Sequence, residues 1–215
     1  MTQHETKKSM RFFKKTSIAL LAFSTLPVIA KDWSTNVGMN SEYIFRGVQQ
    51  TLGASAFAGA DYEKDGFYAG TWAADVGDGL EVDLYAGYNF ALDKDIELGV
   101  GFTSYQYTGD FDSEYNEVNV NFGITDFLIE AAIGSRSEDV DLGIPEQDYT
   151  YFAVSYNYND FTAKYGAWTQ DIEGSYFEFS YGFQVAELDS SIALIISDDD
   201  LGDDEALVYT LSKSF

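Results

Sequence analysis

Leu80-Glu-Val-Asp-Leu-Tyr-Ala-Gly-Tyr-Asn-Phe90 is the stretch whose reading decides the fold. Leu80, Val82, Leu84, Ala86, Tyr88 and Phe90 take every second position, and Glu81, Asp83, Tyr85, Gly87 and Asn89 fill the gaps. A period of two belongs to a strand with two unlike faces. A tight connection, Leu92-Asp-Lys-Asp95, leads into a second such run, in which Ile96, Leu98, Val100 and Phe102 alternate with Glu97, Gly99, Gly101 and Thr103. The pair reads as two neighbouring antiparallel strands.

The same alternation extends in both directions. Upstream, Trp33, Thr35, Val37, Met39, Tyr43 and Phe45 alternate with Ser34, Asn36, Gly38, Asn40 and Glu42. Downstream it recurs around Val118–Ile124, Phe127–Ile133, Phe152–Tyr156, Phe161–Ala167 and Phe177–Val185, and it closes with Leu207, Tyr209, Leu211 and Phe215. Twelve strands are expected, at 33–45, 54–62, 67–75, 80–91, 96–107, 115–124, 127–136, 149–158, 161–169, 176–185, 190–197 and 206–215. Alternation is weakest in the second, third and eleventh, so ten or fourteen remain open. The even-numbered connections are tight: Glu63-Lys-Asp-Gly66, Leu92-Asp-Lys-Asp95, Thr125-Asp126, Asn159-Asp160 and Ala186-Glu-Leu-Asp189. The odd-numbered ones are longer, apart from 76–79.

An even set of strands of about ten residues, with short turns on one side and long loops on the other, describes an outer-membrane barrel. Pro27 and Pro145 both fall outside the strands, as a closed ladder requires. A soluble secreted barrel would carry its polar face outside. Here the polar face bears Glu, Asp, Asn and Gly, too polar for a buried core, and the other face is rich in Tyr, Phe and Trp. The expected fold is therefore all-β, a transmembrane antiparallel up-and-down β-barrel of about twelve strands, in the cell outer membrane.

Residues 1–30 read as a separate signal peptide, with residues 31–215 as the barrel domain. Lys7, Lys8, Arg11, Lys14 and Lys15 precede the apolar run Ile18–Phe23, and small Ala30 marks the exit. That run is too short for a membrane helix, which needs about 20 apolar residues. The chain has 215 residues and a formal charge of −24. Removal of the leader leaves seven basic and 35 acidic residues, and no histidine, because His4 goes with it. Such acidity excludes nucleic acid as a partner, since phosphates demand clustered cations. The 17% aromatic content excludes a disordered chain.

Two blocks resemble a known family. Asn36-Val-Gly-Met-Asn-Ser-Glu-Tyr-Ile-Phe-Arg-Gly-Val-Gln-Gln50 contains a Tyr-x-Phe-Arg-Gly signature, and Gly66-Phe-Tyr-Ala-Gly-Thr-Trp72 follows it. Together they resemble the TorF-type porins, a resemblance that implies an outer-membrane barrel of the porin kind and names no substrate. Tyr209-Thr-Leu-Ser-Lys-Ser-Phe215 resembles the terminal strand by which the barrel assembly machinery recognises outer-membrane proteins. Lipid and lipopolysaccharide are the further partners expected.

Catalysis is not expected. The enzymes of outer-membrane barrels rely on a histidine, and the processed chain has none. It has no cysteine either, so zinc and copper sites lack their usual ligands and no metal or cofactor is expected. The acidic run 197–205 lacks the spacing of a calcium loop and reads first as a solvated connection.

The luminal face is the candidate site. Strand parity turns Glu42, Asp61, Glu81, Asp83, Glu97, Glu117, Glu130 and Glu178 inward, against Arg46, Arg136 and Lys164 as the bases. Carboxylates lining a confined channel concentrate cations, so the expected function is passive diffusion of small polar solutes with cations preferred. Two alternatives stay open: a lumen filled by ion pairs and by Tyr85, Tyr105, Tyr151 and Trp168, and a non-conducting structural or surface-interaction barrel. Arg46, at the top of the first strand, is either a constriction residue or the structural partner of an inward carboxylate.

Overall fold

A computed structural model describes residues 32–202 and 205–215. The expected signal peptide, residues 1–30, and Asp203 and Asp204 of the acidic run lie outside the described residues.

The chain forms a closed antiparallel barrel of twelve strands: β1 (Trp33–Asn40), β4 (Ser55–Lys64), β5 (Phe67–Asp75), β6 (Leu80–Asp93), β7 (Ile96–Tyr107), β8 (Tyr115–Ile124), β9 (Phe127–Arg136), β10 (Gln147–Tyr158), β11 (Phe161–Gln170), β12 (Gly174–Val185), β13 (Leu188–Ser197) and β14 (Glu205–Ser214). Two further short strands, β2 (Ile44–Phe45) and β3 (Val48–Gln49), pair only with each other. Each barrel strand pairs with its sequence neighbours, and β1 closes the ring on β14 with Asn36 opposite Ser214. Closure leaves no edge strand unpaired.

The five tight turns are the two-residue connections that hairpins favour. Asp65 (φ 52°) and Gly66 (φ 92°) take left-handed conformations in the first, and Thr125, Asn159 and Ala186 do so in three others. All five sit at one end of the barrel, with the longer connections at the other.

Alternation sorts the two faces as hydrophobicity requires, but inside out relative to a protein dissolved in water. Val37, Leu84, Phe102, Val118, Val120, Ile133, Phe152, Phe177, Leu194 and Leu207 are exposed on the outer wall, whereas Glu81, Asp83, Glu117 and Asn121 are buried within. Water would penalise an outer belt of that size; lipid would not. The interior holds two packed groups. One gathers Tyr149, Tyr151, Ala153, Trp168, Tyr176 and Ile195; the other gathers Tyr43, Phe57, Trp72, Ala74 and Val76.

One expectation needs correction. The first strand does not run to residue 45: β1 stops at Asn40, and the β2–β3 hairpin that follows folds inward around buried Tyr43 and Gly47, before exposed residues 52–54 lead to β4. Arg46 (φ 48°) and Gly47 (φ 86°) are consecutive left-handed residues, and two such residues make a reversal that an outward strand cannot contain. Tyr43 and Phe45, which continue the outward alternation in the sequence, consequently turn inward. Glu42 and Arg46 belong to this segment and not to a strand face.

Candidate functional site: a hairpin inside the barrel

The hairpin places Arg46 inside the barrel, opposite Glu117 of β8. Arg46 Nη1 and Nη2 each donate to a different Glu117 oxygen at 2.9 Å, a bidentate pair. Glu117 also accepts from Tyr105 (2.8 Å), Tyr149 (2.9 Å) and the Asn119 amide (2.6 Å). The guanidinium carbon lies 4.2 Å from the Tyr151 ring centre and 4.9 Å from that of Phe45, within cation–π range. The hairpin backbone is held as well. Trp168 Nε1 donates to the Arg46 carbonyl at 2.9 Å, and Ser197 Oγ donates to that of Gly47 at 2.6 Å. A Cβ on Gly47 would stand 2.7 Å from the Tyr176 ring, so only glycine fits there.

On β6, the other neighbour of β7, Tyr43 donates to Glu81 at 2.6 Å, and Tyr107 donates to the other Glu81 oxygen at 2.8 Å. Burial, then the charges of Glu81 and Asp83, push the Tyr43 phenol well above its ordinary range, so it stays a donor. Tyr43 also packs edge-on against Trp72, ring centres 5.5 Å apart. The two sequence blocks 36–50 and 66–72 therefore meet inside the barrel: one supplies the hairpin and the other the wall it leans on.

The residues singled out from sequence separate into groups. Arg46, Glu81, Asp83 and Glu117 share the half of the lumen nearer the long connections. Glu130, Lys164 and Glu178 form a second group. Lys164 Nζ lies 2.7 Å from Glu130, and Glu178 is its register partner on β12. The others stand apart. Asp61 accepts from Tyr85, and Glu42 accepts from the Gln49 amide at 2.9 Å. Arg136 lies 3.7 Å from Asp112 at the mouth, and Glu97 is exposed beside a tight turn. Tyr85, Tyr105, Tyr151 and Trp168 do face inward. Tyr43, Trp72, Tyr107, Tyr149 and Tyr176 join them without having been singled out. Tyr149 and Tyr176 share parity with Tyr151 and Glu178, so strand parity was a sufficient signal for both.

Above the hairpin a cleft of about 470 Å³ opens among the long connections, with Phe45, Tyr107, Tyr115 and Trp168 in its walls and Asp171 and Glu173 also lining it. Among the described residues no group of three or more His, Cys, Asp or Glu is arranged to hold a metal ion.

Comparison with known proteins agrees with the architecture. A solved barrel from work on the in-meso crystallisation of membrane proteins superposes with a TM-score of 0.61 at 11% identity, over 85% of this chain and 83% of that one. The NanC porin superposes with a TM-score of 0.50 at 10% identity, over 84% of this chain and 97% of its own. At such identities the likeness is one of fold alone. No curated protein matches the chain in sequence. A family model does, over residues 27–196, and the chain accordingly belongs to Gcw_chp, a family described as a bacterial protein of unknown function.

Proposed function

We propose that the protein is an outer-membrane barrel of the porin kind, through which small polar solutes diffuse passively with cations preferred. The observation that carries the reading is the reversal of faces: an apolar belt outside, and Glu81, Asp83 and Glu117 buried inside against Arg46 alone. A polar lumen behind a lipid-facing wall suits a water-filled path, and an excess of carboxylates in a confined path favours cations. The resemblance of residues 36–50 and 66–72 to TorF-type porins supports the same reading. On it, lipid and lipopolysaccharide are the partners of the outer wall, and β14 is the segment that the barrel assembly machinery would engage. The reading contains no catalytic step.

A second reading has an observation of its own. Residues 41–47 tie the hairpin to the wall through at least six side-chain and backbone hydrogen bonds, which favours a closed structural barrel. Planar-bilayer recording of the refolded protein separates the two. Discrete conductance steps, with a reversal potential across a KCl gradient on the potassium side, support the channel. A silent bilayer supports the closed barrel, and a chloride-selective current removes the cation preference.

A further inference from the structure

Glu81, Asp83, Glu117 and the Arg46 guanidinium share the hairpin half of the lumen, and Asp83 has an oxygen that no hydrogen bond reaches. Glu117 is saturated by Arg46, Tyr105, Tyr149 and Asn119. Glu81 takes a tyrosine hydroxyl on each oxygen. Every one of these partners is a donor, the pattern of two ionised groups. Asp83 lies two residues from Glu81 on the same inward face of β6, about 7 Å along the strand. It is 4% exposed, and its Oδ1 is buried without a hydrogen-bond partner. Its cross-strand neighbours are Trp72 and Tyr105, and the Tyr105 hydroxyl is already committed to Glu117. Arg46 directs one N–H of each terminal nitrogen to Glu117 and acts on Asp83 only through space.

A buried carboxylate in this position is stabilised by a cation or by a proton. Oδ1 meets no hydrogen-bonding group of the protein, and a cation there would meet its charge directly. We propose that Asp83, with Glu81 beside it, holds a monovalent alkali cation in the luminal wall behind the hairpin. Carboxylate and hydroxyl oxygens are hard donors that suit such an ion. Two carboxylates, without a third ligating residue, favour one positive charge over a dehydrated divalent metal. The cleft stops at the residues around the site: Phe45, Tyr105 and Tyr107 belong to its walls, and Asp83 and Glu81 lie behind them. The site rests on the cation-preferring reading and gives that preference a location, yet its occupancy can be measured without any current.

The test is a titration of the refolded barrel with KCl against N-methylglucamine chloride at constant ionic strength, followed by tryptophan emission and thermal midpoint. Trp72 faces Asp83 across the ladder and reports the site. The wild type is expected to show a saturable potassium response, weakened by about tenfold or more in Asp83→Asn and weakened also in Glu81→Gln. A wild type without a saturable, potassium-specific response overturns the site, and that arm needs no variant to fold. A response unchanged in Asp83→Asn also overturns it, with a proton on Asp83 then the remaining account. A silent bilayer with an intact potassium response removes the channel and keeps the site; a cation-selective current without the response does the reverse.

Discussion

Arg46 and Glu117, 71 residues apart in sequence, meet inside the barrel in a bidentate pair with both N–O distances at 2.9 Å. Glu117 is fully enclosed and Arg46 is 11% exposed at the side chain, so solvent screens the pair little. Removing one partner leaves the other as an uncompensated buried charge, which costs about 3–5 kcal/mol. Arg46→Ala and Glu117→Gln are each expected to lower the denaturant midpoint of the refolded barrel. The double variant is expected to be less destabilised than the sum of the two, because no lone charge remains in it. Additive losses in the cycle would show that the two residues do not act on each other. In bilayers, Arg46→Ala is expected to raise single-channel conductance if the hairpin narrows the path. A stability loss with unchanged current would make the residue a structural tie.

Gly47 tests the hairpin without touching a charge. Its φ of 86° disfavours any side chain, and a Cβ would enter the Tyr176 ring at 2.7 Å. Backbone strain of this kind costs on the order of 1–3 kcal/mol before the clash is added. Gly47→Ala is expected to detach the hairpin while the twelve-stranded ladder persists. The bond from Trp168 Nε1 to the Arg46 carbonyl would break and wet the indole. Circular dichroism should stay β-rich while tryptophan emission moves to longer wavelength. Unchanged emission would mean that the hairpin tolerates the methyl group where it lies.

The barrel was legible in the sequence and the hairpin was not, for a physical reason. Period-two alternation is written locally, so residues such as Leu84 and Phe102 declare their face without reference to the rest of the chain. The turns Asp65-Gly66 and Asn159-Asp160 declare themselves in the same way. Tyr43 and Phe45 also continue the alternation of β1, yet they fold inward, because a luminal tyrosine bonded to Glu81 and a lipid-facing tyrosine look alike over a few residues. The one local hint was Arg46 followed by Gly47, and a left-handed arginine is seldom encoded by anything near it. Which carboxylate receives Arg46 depends on closure of the ring, since the segment after β1 is brought over β6 and β8 only then. The inward face of Trp72 is not legible locally, because Thr71 and Ala73, its outward neighbours, are too small to make the alternation of β5 visible.

Lys164 is expected to moderate the charge of the second luminal group. It pairs with Glu130 at 2.7 Å and faces Glu178 on β12. Lys164→Gln leaves both carboxylates without a base, so the reversal potential across a KCl gradient should move further toward potassium. Glu130→Gln should move it the other way. Because Lys164 and Glu130 are each about a fifth exposed, the stability loss should stay below that of a fully enclosed pair, at about 1–3 kcal/mol. Identical reversal potentials in the wild type and both variants would place this group off the conducting path.

The medium around the barrel is tested by a residue that touches none of the luminal chemistry. Val120 lies mid-strand on β8, outward and exposed, between Val100 of β7 and Ala131 of β9. On a protein surrounded by water, an exposed valine exchanged for arginine changes stability by about 0.5 kcal/mol at most. Against hydrocarbon near the bilayer midplane the same exchange costs about 2–4 kcal/mol. Val120→Arg is therefore expected to refold poorly into lipid vesicles and to lose that amount in denaturant titrations performed there. Arginine at Leu80, near the strand end and equally outward, should cost about 1 kcal/mol or less, because interfacial positions are tolerant. Equal and small losses at both positions would mean that the apolar belt faces something other than a bilayer, and the outer-membrane reading would fall with it.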